Sequence, residues 1–223
     1  MGYIICAIVG YIFGMINLPY FIGKLNSVDL RKKGCKTIST GNAFLLFGNV
    51  AGIICALFDF AKGYVAVLVT LKMFPLFPQA FATTLFFCIV GHIYPFYTDF
   101  NGGKGLSCLG GMILFYDWRV FVAMLAVSAV VIFATGYICY VSAAAAGVFA
   151  VVYAVMSHDF IGAAIILAAS VLMVCKNLEN FKRIKKGSEL RICYLWNKDS
   201  ELERIKAVDV EPSCKSEKEK DDE

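Results

Sequence analysis

Seven apolar runs fix the class of this chain. They cover residues 3–23, 49–71, 79–100, 105–116, 118–137, 141–156 and 159–175. The longer ones reach the roughly 20 residues that an α-helix needs to cross a bilayer core of about 30 Å. In hydrocarbon every backbone N–H and C=O must bond within the protein, so such runs read as helices. The charges are partitioned to match. Residues 1–175 hold nine Lys/Arg, five Asp and no Glu, whereas residues 176–223 hold twelve basic and twelve acidic residues. The whole net charge of +4 therefore comes from the apolar part. With 59% hydrophobic and 17% charged residues, the chain departs in both directions from a soluble domain. A disordered protein, a DNA-binding fold and a secreted disulfide scaffold are excluded. The expectation is an all-α, polytopic integral membrane bundle of about seven transmembrane helices, or five if the shorter runs only dip in.

Three regions follow. Residues 1–176 read as the multi-pass membrane domain, 177–194 as a segment at the cytoplasmic face, and 195–223 as a charged tail. That tail ends in KSEKEKDDE and carries too little apolar surface to pack, so it is expected to be disordered. The run 3–23 lacks a basic leader and is too long for a signal peptide, so it reads as a first transmembrane helix. Lys24, Arg31, Lys32, Lys33 and Lys36 crowd the first loop, and Lys176, Lys182, Arg183, Lys185 and Lys186 follow the last run. The positive-inside rule places both in the cytoplasm, and an odd number of crossings leaves the N-terminus outside. Every unusual polar cluster then falls on one face of the membrane. The nine cysteines lie mostly inside apolar runs with no C-x-x-C pair, and read as reduced packing residues. With only His92 and His158, no zinc constellation can be drawn.

Chemistry concentrates in the stretch from Gly91 to Gly105. An ionisable residue inside a membrane segment is costly and marks function, which singles out His92. Gly102, Gly103, Lys104 and Gly105 follow ten to thirteen residues later. Glycines bare their N–H groups to an anion, a helix starting there adds its dipole, and Lys104 adds a full charge. That composition suits a phosphate or carboxylate at the membrane edge, although the same four residues also serve as a plain turn. It is no Walker A loop, because Thr98 stands where the first glycine belongs and Gly105 where a Ser/Thr belongs. The His and Asp five apart of many acyltransferases are absent as well, since Tyr97 holds that position. Asp59 and Lys62 share one helix face. They read either as a mutually satisfied pair or, for Lys62, as a contact to an anionic substrate.

Gly-His-x-x-Pro followed by Phe-x-Gly-Gly-Lys-Gly resembles the signature of the bacterial membrane acyl-phosphate:glycerol-3-phosphate acyltransferases. Asp59-Phe60-Ala61-Lys62-Gly63, Val141-Ser142, Asn180-Phe181-Lys182-Arg183 and Gly187-Ser188-Glu189 resemble further pieces of it in the right order, over roughly residues 3–192. The first loop departs: Cys35, Lys36, Thr37 and Leu45 stand where the family carries Ser, Gly, Asn and Arg, while Gly34 and Asn42 match. The resemblance implies transfer of a fatty acyl group from acyl phosphate to the 1-hydroxyl of glycerol 3-phosphate, without metal, nucleic acid or cofactor, in the bacterial cell membrane. It implies catalytic roles for His92, Lys104, Asn180 and Ser142. Substrate binding would fall to Cys35, Lys36, Asn42, Lys62, Gly102, Gly103, Gly105 and Glu189. The other reading is a non-catalytic membrane paralogue that binds a lipid or a partner protein. Oligomeric state stays open.

Overall fold

A computed structural model of the protein describes residues 1–35, 37–195, 197, 199–201 and 203–204. Among these there is no strand, and each of the seven apolar runs is helical. The helices are α1 (Gly2–Met15), α2 (Leu18–Leu25), α3 (Thr40–Phe47), α4 (Asn49–Met73), α5 (Ala80–Ile93), α6 (Leu106–Tyr116), α7 (Trp118–Thr135), α8 (Ile138–Ser157) and α9 (Phe160–Lys185). Six spans are long and apolar enough to cross a membrane, with α1 and α2 together forming the first. The seventh run, α6, has 11 residues, or about 16 Å at 1.5 Å per residue. It still runs much of the length of α5. Gly105, just before α6, sits against Ile89, and Tyr116 at its far end packs on Phe81 with ring centroids 5.3 Å apart.

The two ends of the bundle differ. At one end Tyr3 packs edge-on against Phe77, 4.5 Å between centroids, and Phe81, Tyr116, Phe149 and Tyr153 form a buried aromatic layer. The other end gathers the polar connections. Arg31 reaches Asp99 at 2.6 Å, the Arg183 guanidinium donates to the Cys35 carbonyl at 3.0 Å, and the Ile192 N–H donates to the Gly136 carbonyl at 2.8 Å. The described C-terminal residues lie at this end, and Gly2 lies at the other, against Phe77.

Close approach of α4 and α6 depends on Gly111, where a Cβ would be driven into the Phe60 carbonyl. Small residues let membrane helices pack backbone to backbone in this way. The break between α1 and α2 comes from Asn17, extended at φ −113°, and from Pro19 at the start of α2. Bending a membrane helix frees carbonyls that water cannot reach, and side chains must take them. The Lys62 ammonium donates to Ile16 O at 2.7 Å, and the Tyr97 hydroxyl donates to Met15 O.

Three features differ from the reading of the sequence. The expected loop 24–42 ends in an extra helix, α3, capped by Ser39, whose hydroxyl accepts from the Asn42 N–H. Helix α9 runs unbroken through the expected boundary at 176. Within the expected tail, residues 199–201 and 203–204 are helical, and Glu201 is 3% exposed. The physical reason is the ion pair of Glu201 with Arg204. The remainder of the expected tail, residues 205–223, lies outside the described residues. The eight described cysteines are free, and five are buried.

Candidate active site

The polar end encloses a cleft of about 320 Å³. Nine of the twelve residues singled out from sequence line it: Cys35, Asn42, His92, Gly103, Lys104, Gly105, Ser142, Asn180 and Glu189. Gly102 lines an adjoining basin of about 240 Å³, Lys62 lies behind the cleft wall, and Lys36 lies outside the described residues.

Lys62 is buried and surrounded by acceptors. Its Nζ is 2.8 Å from Asp59 Oδ1, 2.7 Å from Ile16 O and 2.9 Å from His92 Nδ1. The first is an ion pair and the other two are hydrogen bonds, so the ammonium is enclosed by protein groups. Lys62 is thus held as a pair with Asp59 and does not itself line the cleft. Thr40 Oγ1 donates to the other oxygen of Asp59 at 3.1 Å, which ties α3 to α4. An ammonium carries no lone pair, so Nδ1 of His92 must accept, and the imidazole proton resides on Nε2. His92 thus presents an N–H donor on its free side rather than a basic lone pair.

That free side is fitted to the glycine loop. The Gly102 and Gly103 N–H groups donate to Ile93 O at 2.9 Å and to His92 O at 3.1 Å. The loop before them is strained at Asp99 and Phe100, two adjacent non-glycine residues at φ +53° and +58°. A Cβ at Gly103 would collide with Nε2 of His92. The ring cannot swing away without leaving Lys62. Gly103→Ala should therefore abolish turnover while leaving membrane insertion intact, as checked by activity and monodispersity of the purified variant. A fully active Gly103→Ala protein would mean that His92 is not held in this way.

Beside the loop, Asn180 Nδ2 donates to Glu189 Oε1 at 2.8 Å, and Lys104 Nζ lies 3.7 Å from the same oxygen. Asn180 and Lys104, from separate parts of the chain, meet at that carboxylate. The Ser142 hydroxyl, wholly buried, accepts from Asn177 Nδ2 at 3.2 Å. Asn42 behaves differently from the expectation that it binds substrate. Its amide donates to the carbonyls of Leu30, Lys33 and Thr37, and its oxygen accepts from the Cys35 N–H. The side chain organises the first loop. Burial pushes the Cys35 thiol up to about 11, so it faces the cleft protonated. Leu45, where the resembling family carries Arg, is buried at 2% exposure.

The sequence reading quoted Arg183 as part of a motif without assigning it to the site. It lines both cleft and basin, one helical turn after Asn180 on the same face. Arg31 and Lys176 join it in the basin, together with Lys104. Their basic loop and helix-end positions were the available signal. Asn177 and Thr40 carried none, because each acts through a partner far away in sequence. On the membrane side the cleft shares Ala56, Leu106, Ser107 and Ile132 with an apolar groove between α4, α6, α7 and α8. Phe60 and Phe121 line that groove, 5.5 Å apart edge to face.

A cationic basin, a glycine loop and an apolar groove meeting at one end of a membrane bundle define a membrane protein built for an amphiphile with an anionic head. The family described as glycerol-3-phosphate acyltransferase matches residues 4–187. The chain belongs to this family. Glycerol-3-phosphate acyltransferase 1 of Oceanobacillus iheyensis is 31% identical over 214 residues, covering 89% of this chain and 99% of that protein. The Bacillus subtilis glycerol-3-phosphate acyltransferase is 28% identical, covering 84% and 96%. The fold is similar to the crystal structure of PlsY, an integral membrane glycerol 3-phosphate acyltransferase in its glycerol 3-phosphate form. The TM-score is 0.78 at 24% identity, covering 87% of this chain and 98% of the other.

Proposed function

We propose that this protein acylates the 1-hydroxyl of glycerol 3-phosphate from a fatty acyl phosphate, releasing 1-acyl-glycerol 3-phosphate and inorganic phosphate. The observation that carries this reading is that the polar cleft opens into the cationic basin at Lys104 and into the apolar groove at Leu106 and Ser107. An acyl chain fits the groove, its phosphate fits the cleft at Lys104, and the phosphate of the acceptor fits the basin beside Arg31, Lys176 and Arg183.

The chemistry asks little of the protein. The acceptor hydroxyl oxygen attacks the acyl carbonyl carbon, the bond from that carbon to the phosphate oxygen breaks, and phosphate leaves with the electron pair. The hydroxyl proton passes to the departing phosphate, so no side chain need serve as base and no acyl-enzyme is needed. The site supplies proximity between two anions that repel each other in water. Lys104 and the His92 Nε2–H stabilise charge that develops at the phosphate and the carbonyl oxygen. Asn180 and Ser142 orient substrate oxygens, and Cys35 offers a weak S–H donor at the cleft wall.

The test is transfer from acyl phosphate to labelled glycerol 3-phosphate by the purified protein, with acyl-coenzyme A as the comparison donor. Phosphate-dependent product with little from the thioester supports the reading. Transfer from neither donor would defeat it and favour a binding paralogue.

The polar end is proposed to face the cytoplasm of the cell membrane, following its basic loops. A cysteine introduced at Lys32 in a background lacking the native cysteines should label only after the membrane is permeabilised. One placed at Gly2 should label in intact cells. Labelling of both from the same side would reject the orientation.

A further inference from the structure

Residues beyond the family match, which ends at residue 187, return to the site. After α9 the chain turns at Gly187, with the Ser188 N–H donating to Arg183 O at 2.9 Å. It then runs past Glu189 and is pinned where Ile192 meets Gly136. The helical residues 199–201 and 203–204 come back over this segment. The Arg204 guanidinium takes the Glu201 carboxylate on both oxygens, Nη2 to Oε1 at 2.6 Å and Nε to Oε2 at 3.0 Å. Its Nη2 also donates to Glu189 O at 2.6 Å, and Nη1 donates to Gly187 O. Glu201 Oε1 accepts from the Arg191 N–H at 2.8 Å, and Oε2 accepts from the Cys193 thiol at 3.6 Å. Burial would raise the Glu201 carboxyl, but the Arg204 guanidinium and the Arg191 N–H outweigh it and hold it below the usual range.

This arrangement grips the backbone on both sides of Glu189. The Glu189 side chain, 6% exposed, is the common partner of Asn180 and Lys104. A guanidinium fork suits the task because it holds a carboxylate with one edge and still has donors for carbonyls.

We infer that Glu201 and Arg204 are positioning residues for acyl transfer: they fix the Gly187–Glu189 backbone so that Glu189 holds Lys104 and Asn180 in register with the substrate phosphate. The inference rests on the proposed transfer reaction. It assigns a catalytic consequence to a charged segment that composition alone presents as a solubilising tail.

The experiment compares full-length wild type, Arg204→Ala and the double variant Glu201→Leu/Arg204→Met in acyl transfer, thermal unfolding and alkylation of Cys193. Misplacement of a charge-stabilising group by about 1 Å costs on the order of a hundredfold in turnover. Arg204→Ala should lose kcat on that order with a small change in KM, and millimolar guanidinium should restore part of it. Cys193 should alkylate faster than in wild type. The double variant replaces the ion pair with apolar groups, so it removes the grip without stranding a buried charge. It should melt near wild type and still be slow. An inert wild type defeats the transfer reaction itself. An active wild type matched in kcat by both variants overturns the positioning role. Equal Cys193 alkylation in wild type and Arg204→Ala overturns the clamp.

Discussion

Lys104→Ala should cost the protein about a hundredfold to a thousandfold in kcat, equivalent to roughly 3–4 kcal/mol of lost transition-state stabilisation. The ammonium is the one full positive charge within the glycine loop, and it stands where cleft and basin share a wall. Charge builds on phosphate as it departs, so the interaction strengthens along the reaction and its loss falls on kcat more than on KM. The fold should tolerate the change. Lys104 is a quarter exposed, with 3.7 Å to Glu189 as its ion pair, and Glu189 keeps Asn180 without it. Steady-state kinetics with a thermal melt on the same preparation checks both halves. Near-normal turnover would remove Lys104 from the catalytic machinery. Arg31, Lys176 and Arg183 would then have to carry the phosphate charge from the basin.

Lys62→Met should act in the opposite order, on stability first. Removing one member of a buried pair leaves an uncompensated charge and costs about 3–5 kcal/mol. Here the stranded groups are the Asp59 carboxylate, the Ile16 carbonyl at the break between α1 and α2, and His92 Nδ1. The thermal midpoint of the purified variant should fall sharply. The double variant Lys62→Met/Asp59→Leu removes both charges and should recover much of the loss. Its turnover should stay low, because His92 then lacks the donor that holds its ring and sets its tautomer. Recovery of both stability and activity would show that the pair only packs helices. Failure of the double variant to regain stability would place the cost at the Ile16 carbonyl.

The reading of Lys62 marks a boundary of inference from sequence. Asp59 and Lys62 are three apart, so a shared helix face follows from the helical period alone. Whether that face looks into a cleft or into another helix depends on where α1 bends and where α5 ends, and neither is local information. Asn42 raises the same difficulty. Its place in a motif suggested contact with a ligand, but its amide closes on carbonyls at Leu30, Lys33 and Thr37. A polar side chain of this kind satisfies buried backbone as readily as it binds substrate.

Helix α3 was missed because an eight-residue helix in a basic, polar connection has no long apolar run. It is held by the Ser39 cap and by Phe44 against Gly52 of α4. The break at Ile16–Asn17 was missed because residues 3–23 read as one uninterrupted span, and Pro19 is compatible with the first turn of a helix. The helical residues 199–201 and 203–204 are not legible in the composition. Alternating charges predict a solvated chain, whereas the Gly187 and Glu189 carbonyls, brought near by the end of α9, hold the Arg204–Glu201 pair in place.

By itself the sequence determined the membrane class, the seven apolar helices, the basic end of the molecule and nine of the residues that line the cleft. These follow from the energetics of burying backbone in hydrocarbon and from charges that cannot be buried unpaired, and both leave a mark in the order of residues. The tertiary structure decided which of the marked residues meet. It set Lys62 behind His92, brought Glu189 between Asn180 and Lys104, joined the apolar groove to the cationic basin, and returned Glu201 and Arg204 to the site. Those juxtapositions depend on helix bends, crossing distances and loop returns between residues far apart in the chain, and their energies arise only after the chain has closed on itself.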